Sequence, residues 1–210
     1  MNSRVAYLYS VAALSGGAGM GLEMAVSRQL LPYYGDSHLV WANLIGLVLL
    51  ALSLGYWLGG ALADRRPVLR PLSLALLATG AWAMALPVWG SALLRGLQRS
   101  LPFSDLGALA GSLLAVTALL ALPMLMLGLA IPYVIRLMLH EVEGAGRLAG
   151  RVYAVATVGS MVGTFATVLW WLPAYGVRAT LLILALLLGI WGAAGLVVDA
   201  AGARRREAVR

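Results

Sequence analysis

Long uncharged apolar stretches, separated by short polar or charged breaks, make up most of this chain. Several exceed the roughly 20 residues that an α-helix needs to cross the hydrocarbon core of a bilayer. The pattern therefore predicts an all-α integral membrane protein, a bundle of about six transmembrane helices. The predicted spans are 5–31, 39–63, 71–94, 106–139, 152–172 and 179–198, followed by a polar, Arg-rich tail at 199–210 that we expect to be disordered.

The fourth span has no charge between Asp105 and Arg136, but Pro123 and Pro132 interrupt it. Because proline removes a helical hydrogen bond, the segment is either one helix with proline hinges or two short spans. Cytoplasmic loops are enriched in basic residues, and a single fourth span places most arginines on the inner face. The arginines on that face would be Arg4, Arg65, Arg66, Arg70, Arg136, Arg147, Arg151, Arg204, Arg205, Arg206 and Arg210. This distribution favours six spans in the cytoplasmic (inner) membrane, with both termini cytoplasmic.

Composition narrows the functional classes. Of 210 residues, 62% are hydrophobic and 11% are charged, against about 25% charged in an ordinary soluble domain. The net charge of +7 comes from arginines at predicted span ends, so it predicts lipid contact rather than nucleic-acid binding. The chain has no cysteine, and its two histidines, His38 and His140, are far apart. The sequence indicates no metal site and no cofactor.

The first span contains a glycine-rich run that includes Gly17, Gly19 and Gly21. No strand precedes it, so a phosphate-binding loop is not expected. Glycines at membrane depth allow either close helix packing or local unwinding beside a cavity. The sequence leaves both interpretations open.

Glu23 is the only carboxylate inside a predicted span, roughly 12 Å below the outer end of the helix. Ionisable residues at such depth are costly and usually face the bundle interior with a partner. Arg28, five residues further on, lies on a different helix face. His38 and Asn43 at the outer end of the second span are candidate partners.

The fifth span adds polar residues on one face, spaced by three or four positions: Tyr153, Thr157, Ser160, Thr164 and Thr167. Gly159 and Gly163 form a small-residue pair beside that face. The polar residues either form a packing seam or line an outward-facing cavity with Glu23 at its floor, suited to a proton or a polyamine-type cation. The candidate ligand-binding residues are Glu23, Asn43, His38, Arg28, Ser160, Thr164 and Thr167. No second carboxylate or nucleophile–base pair accompanies them, so no catalytic residue is predicted.

At the inner end of the second span, Asp64, Arg65 and Arg66 form a charged turn, and Arg70 follows. These residues either set topology and cap the helix, or form a conformational latch or partner-binding site.

Several motifs resemble the transmembrane region of membrane-bound spermidine-synthase-like proteins, which carry an aminopropyltransferase-like domain. The matching segments are 14–23 with Arg28, 35–37, 54–65, 122–132, 150–163 and 172–180. The resemblance implies a link to polyamine metabolism. The soluble domain would begin about where this chain ends, so we expect no aminopropyl transfer by this chain alone.

Three hypotheses follow. The first is a module that binds or translocates a small, polyamine-type cation around Glu23. The second is a membrane anchor that recruits a separately encoded aminopropyltransferase-like enzyme through its arginine-rich loops. The third is a half-size, major-facilitator-like transporter that works as a homodimer.

Overall fold

The structure is a computed structural model that describes residues 3–101, 104–139 and 141–207. These residues are almost entirely helical, and they contain no strand. The helices are α1 (Ser3–Tyr34), α2 (His38–Arg65), α3 (Leu69–Ser100), α4 (Asp105–Val116), α5 (Leu122–Gly128), α6 (Ala130–Met138), α7 (Ala145–Phe165) and α8 (Leu172–Glu207). Two wider π-type turns, Thr117–Ala121 and Ala166–Trp171, join α4 to α5 and α7 to α8.

Within the described residues, five helical stretches are long and apolar enough to cross a membrane. They are Arg4–Tyr34, His38–Arg65, Leu69–Ser100, Leu106–Met138 and Ala145–Ala201. The last of them comprises 57 residues, more than twice the length that one crossing needs. It contains both the fifth and the sixth predicted spans, and its backbone is non-helical at Gly176, where φ is +73°.

The contacts of α1 show that the chain reverses direction inside this last stretch. Gly17 and Gly21 of α1 lie against Gly163 and Thr167 in the same chain order, so α1 and α7 run parallel. By contrast, Tyr7 donates a hydrogen bond to the carbonyl of Trp191, while Gly21 packs against Leu184. The part of α8 after Gly176 is therefore antiparallel to α1. The left-handed φ of Gly176, which glycine adopts without steric cost, accompanies this reversal.

The fourth segment is one continuous crossing with an interruption at each proline. Asn43 of α2 contacts Leu109, and Gly59 contacts Leu129, so α2 and the segment run side by side without reversal. Pro123 cannot donate to the carbonyl of Leu119, four residues earlier, and the π turn lies at this point. The indole Nε1 of Trp82 donates to that carbonyl at 3.0 Å.

Pro132 lies at the third position of α6, directly after the break at Leu129. The first turn of a helix tolerates proline, because its N–H groups have no intrahelical partner there. Helix breaks lie near Pro123 and Pro132 as expected, and the segment runs in one direction along α2, which favours a single span over two short ones.

Glycines bring several helices into backbone contact with their neighbours, and two contacts serve as examples. A β-carbon on Gly163 would lie 2.5 Å from Cα of Gly17, and one on Gly59 would lie 2.7 Å from Cα of Leu129. Helix α1 stays helical through its whole glycine run. The packing interpretation of these glycines is confirmed, and the unwinding interpretation is wrong.

The tail differs from expectation, since α8 continues as a helix to Glu207. Alanine, arginine and glutamate are good helix formers, which explains the continuation. Asp199 Oδ1 also accepts a hydrogen bond from the backbone N–H of Leu69 at 3.3 Å, which ties α8 to the start of α3. Residues 208–210 lie outside the described part of the chain.

Most of the arginines that the sequence assigns to one face do lie at one end of the bundle. Arg65 and Arg66 end α2, Arg136 lies in the last turn of α6, and Arg147 and Arg151 begin α7. Tyr133 donates a hydrogen bond to the carbonyl of Arg66, which joins α6 to this end. We call it the basic end, and we call the end that holds Tyr33 and Gln98 the opposite end.

Candidate functional site

Glu23 lies on the face of α1 that points into the bundle, and only 6% of its surface is exposed. It makes no hydrogen bond or ion pair with any residue that the structure describes. A buried ionised group without a partner is costly, so such a group is retained where it serves a ligand. Glu23 is the one carboxylate among the residues of α1.

A cavity of about 130 Å³ adjoins Glu23. It extends from Glu23 along α1 to Ser15, and α2, α5, α6 and α7 form its other walls. Its polar side chains are Glu23, Ser15, Tyr56, Tyr153, Thr157 and Ser160. Since one water occupies about 30 Å³, the cavity has room for a few waters or for one small hydrated cation.

The cavity lies on the basic-end side of Glu23. Ser15 is eight residues closer to the start of α1, and no residue of α1 beyond Glu23 lines the cavity. The sequence predicted a cavity that opens outward with Glu23 as its floor. The structure instead places this cavity on the basic-end side of Glu23, where Tyr56 of α2 and Tyr153 of α7 line it. Both tyrosines are also partly exposed on the outer surface of the bundle, Tyr56 at 38% and Tyr153 at 49%.

The hydroxyl of Ser15 resembles the carboxylate of Glu23 in lacking a hydrogen-bond partner. Its Oγ is buried and has no hydrogen-bond partner. A hydroxyl buried in this way costs roughly 1–3 kcal/mol unless a ligand or water pairs with it. Two unpartnered polar groups beside one space indicate a site that is completed by water or by a bound ligand.

A second cavity, of about 230 Å³, lies farther along α1, toward the opposite end of the bundle. Met24, Ser27 and Arg28 of α1 line it, one to five residues beyond Glu23. Asp36 and Trp41 also line it, and the indole Nε1 of Trp41 donates to Asp36 Oδ1 at 2.5 Å. Glu23 lines only the first cavity, and the two cavities share no lining residue.

Several of the predicted ligand-binding residues are elsewhere. Asn43 donates hydrogen bonds to the carbonyl of Leu109 and to Ser112 Oγ, so its amide links α2 to α4. His38 is exposed at the start of α2, and Arg28 lines only the second cavity. Of the predicted set, only Glu23 and Ser160 line the cavity beside Glu23.

The remaining two threonines have other surroundings. Thr164 Oγ1 donates to the carbonyl of Ser160 within α7, as hydroxyl side chains inside helices often do. Thr167 is buried against Gly21, and its Oγ1 has no partner. The polar face of α7 is thus partly a packing seam and partly a cavity wall, so each of the two interpretations holds for part of it.

Sequence reasoning missed Ser15 and Tyr56. Ser15 begins the glycine run, and its spacing of eight from Glu23 places both residues on one helix face. That periodicity could have identified it. Tyr56 lies in a glycine-rich segment of α2, and no pattern in the sequence connects it with α1.

At the basic end, Asp64 pairs with Arg136, with 2.8 Å between Oδ1 and Nε. The pair connects the ends of α2 and α6. Arg65, Arg66 and Arg70 are exposed beside it and form no ion pair with a described residue. The structure thus provides the kind of contact that a latch requires, between two helices that also touch through Gly59.

Comparisons with known proteins identify no relative: no family model, curated protein or solved structure matches the chain. The fold and the helices that are apolar enough to span a membrane define the class, a multi-pass helical membrane protein. Among the described residues, no group of three or more His, Cys, Asp or Glu side chains is arranged to hold a metal ion.

Proposed function

We propose that the chain crosses the cytoplasmic membrane six times, with the basic end in the cytoplasm. The reversal at Gly176 divides the last helical stretch into two antiparallel parts, each about as long as one crossing. Six crossings bring both chain ends to the basic end. The excess of arginine there agrees with the positive-inside rule.

We further propose that this module binds and translocates a small cation, with Glu23 as the central ligand. The observation that carries this proposal is the buried, unpartnered carboxylate of Glu23 beside a polar cavity. A cation in the cavity would supply the missing counter-charge, and the hydroxyls of Ser15 and Ser160 would complete its coordination. The two cavities would be the two halves of a path along α1.

The size of the cavity favours a proton, a small hydrated ion or an ammonium group. A polyamine, which the family resemblance suggests, would place one terminal ammonium beside Glu23. The rest of its chain would pass between Tyr56 and Tyr153, whose rings can contact a second ammonium by cation–π interaction. A rise in affinity from methylammonium to spermidine would therefore identify polyamines as the substrate class.

Ligand-dependent thermal stability tests the binding step. The purified protein is titrated with ammonium, methylammonium, putrescine and spermidine, and with choline as a cation too large for the cavity. A ligand at 100 times its dissociation constant should stabilise the folded state by about 2.7 kcal/mol. We expect this stabilisation to disappear in Glu23→Gln, which keeps the shape and removes the charge.

Glu143→Gln is the matched control, because Glu143 is an exposed carboxylate in the loop before α7. It should respond to the cations as the parent does. Equal stabilisation of Glu23→Gln and the parent would show that Glu23 is not the ligand, and the proposal would be wrong.

One observation supports the second hypothesis, a scaffold for a soluble enzyme. Arg65, Arg66 and Arg70 are exposed around the short α2–α3 connection, where they could contact an acidic partner surface. If the chain is a scaffold, replacing all three by glutamine should release a co-purifying acidic protein. Replacing Arg95 and Arg99 at the opposite end should not release it.

A further inference from the structure

An apolar groove of about 630 Å³ lies on the side of α1 away from Glu23. Its walls are α7 and the part of α8 after Gly176, and its floor is α1. Small residues such as Ala13 and Gly17 line the floor, while Val158 and Leu187 line the walls. The cation path does not use this groove.

The groove is a gap between two helices. Helices α7 and α8 adjoin through the π turn Ala166–Trp171, and along the rest of their lengths each packs against α1 instead of the other helix. The groove occupies the space that this arrangement leaves between them on the face of α1.

Its length matches one chain of a membrane lipid. The lining residues of α7 extend from Ala154 to Ala166, which is about 18 Å at a rise of 1.5 Å per residue. Half of a hydrocarbon core roughly 30 Å thick is about 15 Å. An acyl chain of the cytoplasmic leaflet would thus fill the part of the groove nearest the basic end, with its methyl end near Val162.

Positive charge lies at the basic end of the groove. Arg151, Val155, Val158 and Val162 follow one another at spacings of three or four residues, so they share one face of α7. Arg151 and the neighbouring Arg147 are exposed, and neither forms an ion pair with a described residue. Basic residues at the cytoplasmic end of a groove between transmembrane helices suit an anionic headgroup.

We propose that this groove binds an anionic phospholipid of the cytoplasmic leaflet. Its phosphate-bearing headgroup would lie at Arg147 and Arg151, and one acyl chain would lie along α1 between α7 and α8. The lipid is charged at its headgroup and apolar along its acyl chains. The site likewise has arginines at one end and apolar side chains along the groove. The site is separate from Glu23, so it does not depend on the proposed cation path.

Native mass spectrometry of the purified full chain tests the headgroup contact, with dioleoyl-phosphatidylglycerol and dioleoyl-phosphatidylcholine as lipids with identical chains. We expect preferential retention of phosphatidylglycerol. An arginine near the membrane surface contributes about 1 kcal/mol, or roughly fivefold in affinity. Replacing both Arg147 and Arg151 by glutamine should therefore remove most of the preference.

The double variant Arg95→Gln, Arg99→Gln is the matched control, because it removes the same charge from exposed positions at the opposite end. It should keep the preference. If both double variants keep the preference, or both lose it equally, the headgroup assignment is wrong.

A groove-filling substitution tests the position of the acyl chain. Val158→Trp puts a large ring into the groove, whereas Val88→Trp puts it on a lipid-facing part of α3 that is 76% exposed. We expect Val158→Trp to reduce retention of both lipids and Val88→Trp to change nothing. If Val158→Trp instead converts a dimer to a monomer with unchanged lipid retention, a second copy fills the groove and the proposal is overturned.

Discussion

The two sides of the α1–α7 pair differ in chemistry although they share one wall. On one side, Glu23, Ser15 and Ser160 face a small polar cavity with two unpartnered groups. On the other side, the groove toward α8 is lined almost wholly by apolar side chains, and Ser10 is its one hydroxyl. Ser10 is fully engaged, because it donates to the carbonyl of Tyr7 and accepts from Trp191 Nε1.

The comparison distinguishes polar groups that stabilise the fold from polar groups that a ligand can bind. On the groove side Ser10 and Trp191 both have protein partners for their side-chain polar groups, as an apolar membrane favours. On the cavity side the protein leaves hydrogen-bonding groups unpaired, and this costs stability that only a ligand or water can recover. The backbones of α1 and α7 touch at Gly17 and Gly163. This contact separates the cavity from the groove and forms a wall of both.

The largest expected effect comes from disrupting the contact between α1 and α7. Gly163→Ala would place a methyl group 2.5 Å from Cα of Gly17, where only movement of a whole helix could make room. Overpacking of this kind costs about 1–3 kcal/mol, and the backbone contact places it at the upper end. We expect a strongly lowered unfolding temperature in detergent, together with weaker binding at both spaces.

Gly46→Ala is the control for this substitution. Nothing lies within 4 Å of the added methyl group at Gly46, so the unfolding temperature should stay the same or rise slightly. Equal unfolding temperatures for Gly163→Ala and Gly46→Ala would mean that α1 and α7 do not meet at Gly163.

Serine-to-alanine substitutions on the two sides should have opposite signs. Ser10→Ala leaves Trp191 Nε1 without an acceptor, so it should lower stability by roughly 1–2 kcal/mol. Ser15→Ala removes a buried, unpaired hydroxyl, so it should keep or raise stability by up to about 1 kcal/mol while weakening cation binding. Thermal unfolding with and without ligand measures both effects, and a loss of stability in Ser15→Ala would contradict the account.

The smallest effect is expected at the basic end. The Asp64–Arg136 pair is well formed, but its side chains are 72% and 42% exposed, so salt and water weaken it. Arg136→Gln should lower stability by less than about 1 kcal/mol. If the pair is a latch, the variant should instead change the rate of transport, measured with liposome-reconstituted protein. An unchanged rate would limit the pair to anchoring the ends of α2 and α6.

The sequence predicted the elements well because the membrane imposes a simple pattern on them. Apolar length marked each helical stretch, and the spacing of Gly159 and Gly163 indicated close helix packing, for which the structure supplies α1 as the partner. Pro123 and Pro132 correctly marked the interruptions of the fourth segment. These features are local, or they repeat with the period of a helix.

The site could be predicted only in part, because it depends on which helices meet. Glu23 was identifiable, since an isolated carboxylate in an apolar stretch is rare. Asn43 and Thr167 were also polar and at membrane depth, yet Asn43 faces α4 and Thr167 faces Gly21. The rotation of each helix decides such assignments, and it is set by contacts distant in sequence, such as Gly59 against Leu129.

Cation flux into liposomes reconstituted with the protein tests the central claim most directly. Uptake of radiolabelled methylammonium or spermidine is measured under an inside-negative membrane potential for the parent, Glu23→Gln and Glu143→Gln. The account predicts uptake by the parent and by Glu143→Gln, and no uptake above empty liposomes by Glu23→Gln. Uptake by Glu23→Gln at the parental rate would contradict the claim that Glu23 lies on the cation path.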